Sequence, residues 1–312
     1  MPDIDDVRAA AARIAPFVHH TPVLTSTSLD EWLGVHAFLK AEHLQRTGAF
    51  KYRGATNAVQ SLTATQAARG VAAHSSGNHA AALALAARTR GIPGYVVMPD
   101  TVPAVKRDAV VAFGATITPC ENTPESRAET LAEVVERTGA VEIHPFDNDQ
   151  VIAGAGTAAL ELMEQVPGLD IVIAPVGGGG LLSGTSIAVH GVSPETRVLG
   201  GEPLRADDAA RSLATGTLQP PLPPTTIADG LLTGLSERTF TILREHVEQV
   251  VTVTEEDIVA AMLMIWERAK QVIEPSAAVA VAATRAAHLG GARVGIILSG
   301  GNVSFPVAGR RA

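Results

Sequence analysis

The sequence predicts an α/β protein built of two open, twisted, mostly parallel sheets flanked by helices. Three observations predict it. Short β-branched runs such as DIVIAPV (170–176), QVVTVT (249–254) and RVGIILS (293–299) alternate with alanine-rich stretches, the rhythm of parallel strands buried on both faces. Glycines close the helical stretches, and Pro-Asp-Thr or Pro-Phe-Asp-Asn connectors punctuate them. A chain of 312 residues, 46% hydrophobic and 18% charged, is long enough and apolar enough for about two domains.

The elements follow in order. After SSGNH (75–79), residues 80–90 form a helix stopped by Gly91, and 95–98 a short strand. Residues 104–113 make a second helix ended by Gly114, with ATITP (115–119) as the next strand. A third helix spans 125–137, Gly139 lies beyond it, and VEIH (141–144) follows as a strand. The rhythm resumes with helix 155–165, strand DIVIAPV, four glycines, helix 181–190 and strand RVLGGEP (197–203). Strand QVVTVT, two long helices and strand RVGIILS complete the pattern. QPPLPP (219–224) is too short for a domain linker and suits a stiff surface excursion.

Composition excludes several classes. The net charge is −8 and no basic run tracks phosphates, which argues against nucleic acid as the main partner. MPDIDDVRAAAARI carries early acids and no apolar core, so it is neither a signal nor a transit peptide. No stretch of 18 uncharged apolar residues predicts a membrane span. Cys120 stands alone, leaving no disulfide framework or thiolate metal cluster. The expectation is a soluble, cytoplasmic protein.

Five segments carry chemistry. TGAFKYRGA (47–55) confines Lys51 between Gly48 and Gly54 and beside Phe50 and Tyr52, away from the wet surface where lysines ordinarily sit. The two glycines are expected to let the backbone approach a ligand ring. VGGGGLLSG (176–184) runs a buried strand through four glycines into a helix, exposing backbone N–H groups at its positive end; it reads as an anion cradle, a tight turn being the alternative. SSGNHA (75–80) brings hydroxyls, an amide and an imidazole to a helix N-terminus, suited to a carboxylate or simply to capping. SGGNV (299–303) places Ser299 at a strand carboxyl end, or merely turns the chain. GEPLRADD (201–208) offers Glu202 and Asp208 as oxygen donors for a hard divalent ion, against the alternative of solvated acids. GAGTAA (154–159) mimics a nucleotide fingerprint, but no strand leads into it and no ribose-binding acid follows. The histidines show no paired ligand spacing, and Ser183 lacks the nucleophile elbow.

TGAFKYRGA, SSGNH, GGGGLLSG and SGGNV, in that order, resemble the fold-type II pyridoxal-phosphate enzymes of the serine/threonine dehydratase and serine racemase family. TIADG (226–230), VTVTEEDI (251–258), WERAK (266–270) and IEPSAAVAVAA (273–283) extend the resemblance over nearly the whole chain. It implies a large cofactor domain of residues 1–70 and 148–312 and a small domain of residues 71–147. It implies that Lys51 holds pyridoxal 5′-phosphate covalently and then moves the α-proton. Gly177, Gly178, Gly179 and Gly180 would hold the phosphate, Asn78 the ring hydroxyl and Ser299 the pyridine nitrogen, with Phe50 beside the ring. Ser75, Asn78 and His79 would line the substrate carboxylate site, and Ser76 would stand on the face opposite the lysine. Glu202, the Ala206 carbonyl and Asp208 would bind Mg²⁺, Mn²⁺ or Ca²⁺. The resemblance also implies a homodimer.

The expected reaction is elimination of water from a β-hydroxy amino acid (serine, threonine or 3-hydroxyaspartate), giving an oxo acid and ammonia. A serine racemase with dehydratase side activity is the alternative, followed by a catalytically silent cofactor-binding protein. An end at residue 312 leads us to expect a catabolic or racemase-like enzyme without a feedback domain. Arg127, in PESRAET, would bind a second carboxylate and favour hydroxyaspartate, unless it is a solvated helix arginine. Gly234 stands where the racemase has a substrate-contacting serine, which leaves room for a larger or different substrate side chain.

Overall fold

The structure is a computed structural model describing residues 1–75, 77–102, 104–223 and 225–303, with backbone alone for 104–106. Ten strands among these residues form two sheets: β1 (Val23–Leu24), β2 (His36–Lys40), β3 (Val71–His74), β4 (Gly94–Pro99), β5 (Thr116–Cys120), β6 (Val141–Glu142), β7 (Ile171–Pro175), β8 (Arg197–Pro203), β9 (Gln249–Val253) and β10 (Arg293–Ile297). The larger sheet has the order β1-β2-β10-β7-β8-β9 and is parallel except for β1, which runs antiparallel to β2. The smaller sheet, β5-β4-β3-β6, is wholly parallel. The α/β class with two open sheets is as the rhythm predicts. VEIH yields only a two-residue strand, because Ile143 and His144 turn into the connector before α8.

The helices are α1 (Ile4–Ile14), α2 (Thr27–Leu33), α3 (Lys51–Gln60), α4 (Ala64–Arg69), α5 (Asn78–Arg90), α6 (Ala104–Ala112), α7 (Pro124–Thr138), α8 (Asp149–Gln165), α9 (Gly180–Val192), α10 (Asp208–Thr215), α11 (Glu237–His246), α12 (Glu255–Met264) and α13 (Pro275–Ala286). Local chemistry sets their ends. Thr63, Ser236 and Thr254 close capping boxes on α4, α11 and α12, and Gly91 and Gly139 end α5 and α7 in the left-handed conformation. The first of the two late helices departs from expectation. WERAK continues α12 as a π-turn over Ile265–Ala269 and stops at Lys270, whose φ is 56°. Strand β7 shows why the sheet is buried on both faces. Val172 and Ala174 enter the core under α1, α8, α9 and α11, while Ile171 and Ile173 enter the one under α2, α12 and α13.

Three helices pack through glycines. A Cβ on Gly154 would lie 2.7 Å from the Gly54 Cα, and one on Gly156 would lie 2.6 Å from the Gly184 carbonyl. The α3–α8 and α8–α9 pairs therefore approach backbone to backbone. This corrects the expectation for Gly54, which seats α3 on α8 and does not bring backbone to a ligand ring. It also explains GAGTAA, whose glycines lie inside α8 as packing positions. Beneath α3, Arg53 is fully buried and bidentate to Glu42 (2.7 and 2.8 Å) and to Glu161 (2.7 and 2.9 Å), while Lys40 donates to Glu161 at 2.7 Å. Two cations and two carboxylates thus compensate one another where isolated charge would be costly.

Candidate active site

Lys51 is the first residue of α3, half-buried and close to the carboxyl ends of the large-sheet strands. The Phe50 N–H donates to the Ser299 carbonyl (3.0 Å) beyond β10, and Ala49 bridges to Gly300, so the chain on either side of this start is tied to the sheet. The Lys51 ammonium lies 5.2 Å from the centroid of the Phe50 ring and donates to the Pro145 carbonyl at 2.8 Å. No carboxylate pairs with it among the described residues. Burial lowers its pKa to about 8. Tyr52, on the other side, is fully buried, with its hydroxyl 3.3 Å from the Thr89 hydroxyl of α5. Its place is structural.

Gly177, Gly178 and Gly179 lie between β7 and α9, Gly180 opens α9, and all four are buried. A Cβ on Gly177 would lie 2.9 Å from Leu231, one on Gly178 would enter the Phe146 ring, and one on Gly180 would lie 2.9 Å from the Phe146 Cβ. Gly179 has φ of 87° and gives α9 no side-chain cap, leaving the first-turn N–H groups to a ligand. This wall of backbone donors fits a phosphate. Ser299 is 4% exposed at the end of β10. Asn78 opens α5, with its amide held by Glu274 (2.8 Å) and Asn302 (2.8 Å). Ser75 follows β3, its N–H on the Val97 carbonyl at 3.1 Å. Ser76 lies outside the described residues.

His79 follows Asn78 at the start of α5. It is 3% exposed; its Nε2 sits 2.9 Å from the Ile143 carbonyl, and its buried Nδ1 meets no partner among the described residues. Burial, reinforced by the Lys51 charge, lowers its pKa to about 3, and burial lowers His144 to about 4. Both are therefore neutral near pH 7. Arg127 lies on α7, bonded through Nη2 to Asn122, while its buried Nε meets no partner among the described residues. Its positive charge helps lower the pKa of His74, the last residue of β3, so it sits on the small-sheet side of the site.

Glu202 and Asp208 meet at the carboxyl end of β8. The Glu202 carboxylate is fully buried and accepts from the N–H groups of Ala209 (3.0 Å) and Ala210 (2.8 Å), and Asp208 accepts from Leu235 N–H (3.0 Å). Burial pushes Glu202 up to about 8 and raises Asp208 as well. Two buried acids in no ion pair among the described residues fit a hard cation, although no group of three His, Cys, Asp or Glu side chains converges there. Gly234 packs beside Asp208: a Cβ there would lie 3.1 Å from the Asp208 Oδ2 and from Pro221.

Sequence reading missed three contributors. Glu274 and Asn302 lie 196 and 224 positions from Asn78, and Phe146 packs its ring 4.6 Å from His144 beside the glycine wall. Glu274 and Asn302 fall in segments that carried the resemblance, yet only the tertiary contact distinguishes them from their neighbours.

An α/β chain with a lysine recess and a glycine-walled helix start at its strand ends has the make-up of an enzyme that carries a phosphorylated aldehyde on a lysine. Residues 14–300 match the family described as pyridoxal-phosphate dependent enzyme, and the chain belongs to it. Pyridoxal phosphate is the cofactor that membership brings. The chain is 48% identical over 308 residues to serine racemase of Dictyostelium discoideum, covering 97% of this chain and 95% of that one. It is likewise 48% identical over 307 residues to beta-hydroxyaspartate dehydratase of Paracoccus denitrificans (strain Pd 1222), covering 98% of each. Among solved structures, maize serine racemase superposes with a TM-score of 0.94 at 46% identity, covering 97% of this chain and 94% of that one. A threonine deaminase superposes with a TM-score of 0.93 at 45% identity, covering 98% of this chain and 100% of that one.

Proposed function

We propose that the chain is a dehydratase, an ammonia-lyase that converts a β-hydroxy amino acid to an oxo acid and ammonia. The observation that carries this reading is Lys51, held on a backbone carbonyl with no carboxylate partner among the described residues and with a pKa near 8. Bound pyridoxal phosphate supplies an electron sink for the substrate α-carbon. Gly177–Gly180 and the start of α9 would hold its phosphate, Asn78 and Ser299 would face ring atoms, and Phe50 would flank it. Lys51, neutral when released, takes the α-proton as general base. The N-terminus of α5, with Ser75 and Asn78, receives the substrate carboxylate. The β-hydroxyl leaves as water, and the released enamine hydrolyses to the oxo acid and ammonia. Arg127, whose buried Nε meets no partner among the described residues, is the group for a second carboxylate, which favours 3-hydroxyaspartate. The Paracoccus relative's name supports the same choice. Racemisation of serine is the second reading, favoured by the Dictyostelium relative, with Ser76 proposed as its second acid.

Glu202, the Ala206 carbonyl and Asp208 are assigned to a divalent cation on the strength of their buried oxygen donors. We divide the chain into a large domain, 1–70 and 148–312, and a small one, 71–147, each holding one sheet. A homodimer is proposed on the family resemblance. No helix among the described residues is long and apolar enough to cross a membrane, and the cytoplasm is the compartment we assign. The test is ammonia release from serine, threonine and 3-hydroxyaspartate with added cofactor, with chiral analysis of recovered serine. Lys51→Ala is expected to abolish both turnover and the cofactor's lysine-bound absorbance; survival of either defeats the proposal. Arg127→Ala is expected to raise KM for 3-hydroxyaspartate roughly tenfold or more, the worth of a charged hydrogen bond, and leave serine unchanged. An equal effect on both substrates removes Arg127 from the site.

A further inference from the structure

The Asn78 carboxamide can present either its oxygen or its nitrogen to a ligand, and its neighbours decide which. Asn302 Nδ2 lies 2.7 Å from the Thr47 carbonyl, an acceptor only, so that end of the Asn302 side chain must be the amide nitrogen. Its other hydrogen then points to Asn78 Oδ1 at 2.8 Å. On the opposite side, Asn78 Nδ2 donates to Glu274 Oε1 at 2.8 Å, while Glu274 Oε2 accepts the Asn302 backbone N–H at 3.0 Å. Turning the Asn78 amide over would set its oxygen against the Glu274 carboxylate and its NH₂ against the NH₂ of Asn302. Both contacts would then be repulsive. One orientation remains, and the second Asn78 amide hydrogen meets no acceptor among the described residues.

The surrounding backbone is shaped to permit this arrangement. A Cβ on Gly300 would lie 2.5 Å from Glu274 Oε1, and one on Gly48 would enter the Asn302 amide. Thr47 is β-branched yet has φ of 62°, a conformation such residues rarely adopt, and its carbonyl is the one that fixes Asn302. We propose that Glu274 and Asn302 are positioning residues that hold the Asn78 amide nitrogen toward the oxygen substituent of the cofactor ring. This rests on the reading that Asn78 faces that oxygen.

The experiment compares absorption spectra of the holoenzyme, read as the ratio of the long- to short-wavelength cofactor bands, with thermal unfolding measured alongside. That ratio reports hydrogen bonding at the ring oxygen and is independent of turnover. Asn78→Ala is expected to change it by about threefold or more, the population change that one ordinary hydrogen bond produces. Asn302→Asp is isosteric at an exposed site and replaces the donor facing both Thr47 and Asn78 by an acceptor. It and Glu274→Gln are expected to move the ratio in the same direction while retaining a cooperative unfolding transition. If Asn78→Ala shifts the ratio and Asn302→Asp does not, the positioning role is overturned and the assignment of Asn78 survives. If Asn78→Ala leaves the ratio unchanged, the assignment of Asn78 fails and the positioning role falls with it; Lys51 is judged separately by its own variant.

Discussion

Lys51 and its partners combine two requirements that ordinarily conflict. A lysine able to take a proton must be neutral at working pH, yet its ammonium must be tolerated in the folded chain before the cofactor arrives. Burial meets the first by lowering the pKa from 10.5 to about 8, and the Pro145 carbonyl meets the second without the compensating charge that would raise it again. The sign follows: below about pH 8 the folded chain carries the full cost of a buried ammonium, and that cost is relieved as pH rises toward 10.5. In the cofactor-free chain, acylation of Lys51, located by peptide mapping, is therefore expected to rise with a midpoint near pH 8. A midpoint near 10.5, like that of a surface lysine, would remove the basis for Lys51 as the base. Lys51 was legible because a lysine among small and aromatic residues is a local anomaly. The contact that orients His79 through Nε2 was not legible, because the Ile143 carbonyl lies 64 positions away.

At the scale of elements, α8 organises the molecule by letting α3 and α9 close on it at glycine pairs. The Gly184 position faces the Ile152 carbonyl and the Gly156 backbone, neither of which moves without shifting a helix. Gly184→Ala is expected to destabilise the chain by about 1–3 kcal/mol, as overpacking of a well-packed core does. Chemical denaturation at unchanged slope would measure it, and a loss below about 0.5 kcal/mol, the range of surface substitutions, would mean that the contact is soft. Helix stops and parallel strands could be read from glycine placement and β-branched runs, because both are local chemistry. The role of the glycines at 154 and 156 could not. A glycine marks close approach of something, and a phosphate, a ring and a neighbouring helix leave the same mark in sequence. The π-turn at 265–269 was hidden for a related reason, since its residues suit an α-helix and only the packing that follows them ends it at Lys270.

Across the whole molecule, the two sheets and their parallel sense were legible, but the strand order was not. The last strand, β10, inserts between β2 and β7, bringing Ser299 and Asn302 to the Lys51 segment across some 250 residues of intervening chain. Burial on both faces decides that placement, and no local pattern records it. Near the carboxyl end of β8, Glu202 and Asp208 are two buried acids that leave a charge problem for the fold to solve. If a divalent cation solves it, binding to the folded chain alone stabilises the whole molecule, by about 2.7 kcal/mol at a hundredfold excess over the dissociation constant. Added Mg²⁺, Mn²⁺ or Ca²⁺ is therefore expected to raise the thermal midpoint of the chelator-treated protein in a concentration-dependent way. Asp208→Asn is expected to weaken that response, while Lys51→Ala, at the other centre, leaves it in place. A midpoint indifferent to all three ions, or a response unchanged in Asp208→Asn, would strip these acids of a cation and leave them as buried caps on the Ala209, Ala210 and Leu235 N–H groups.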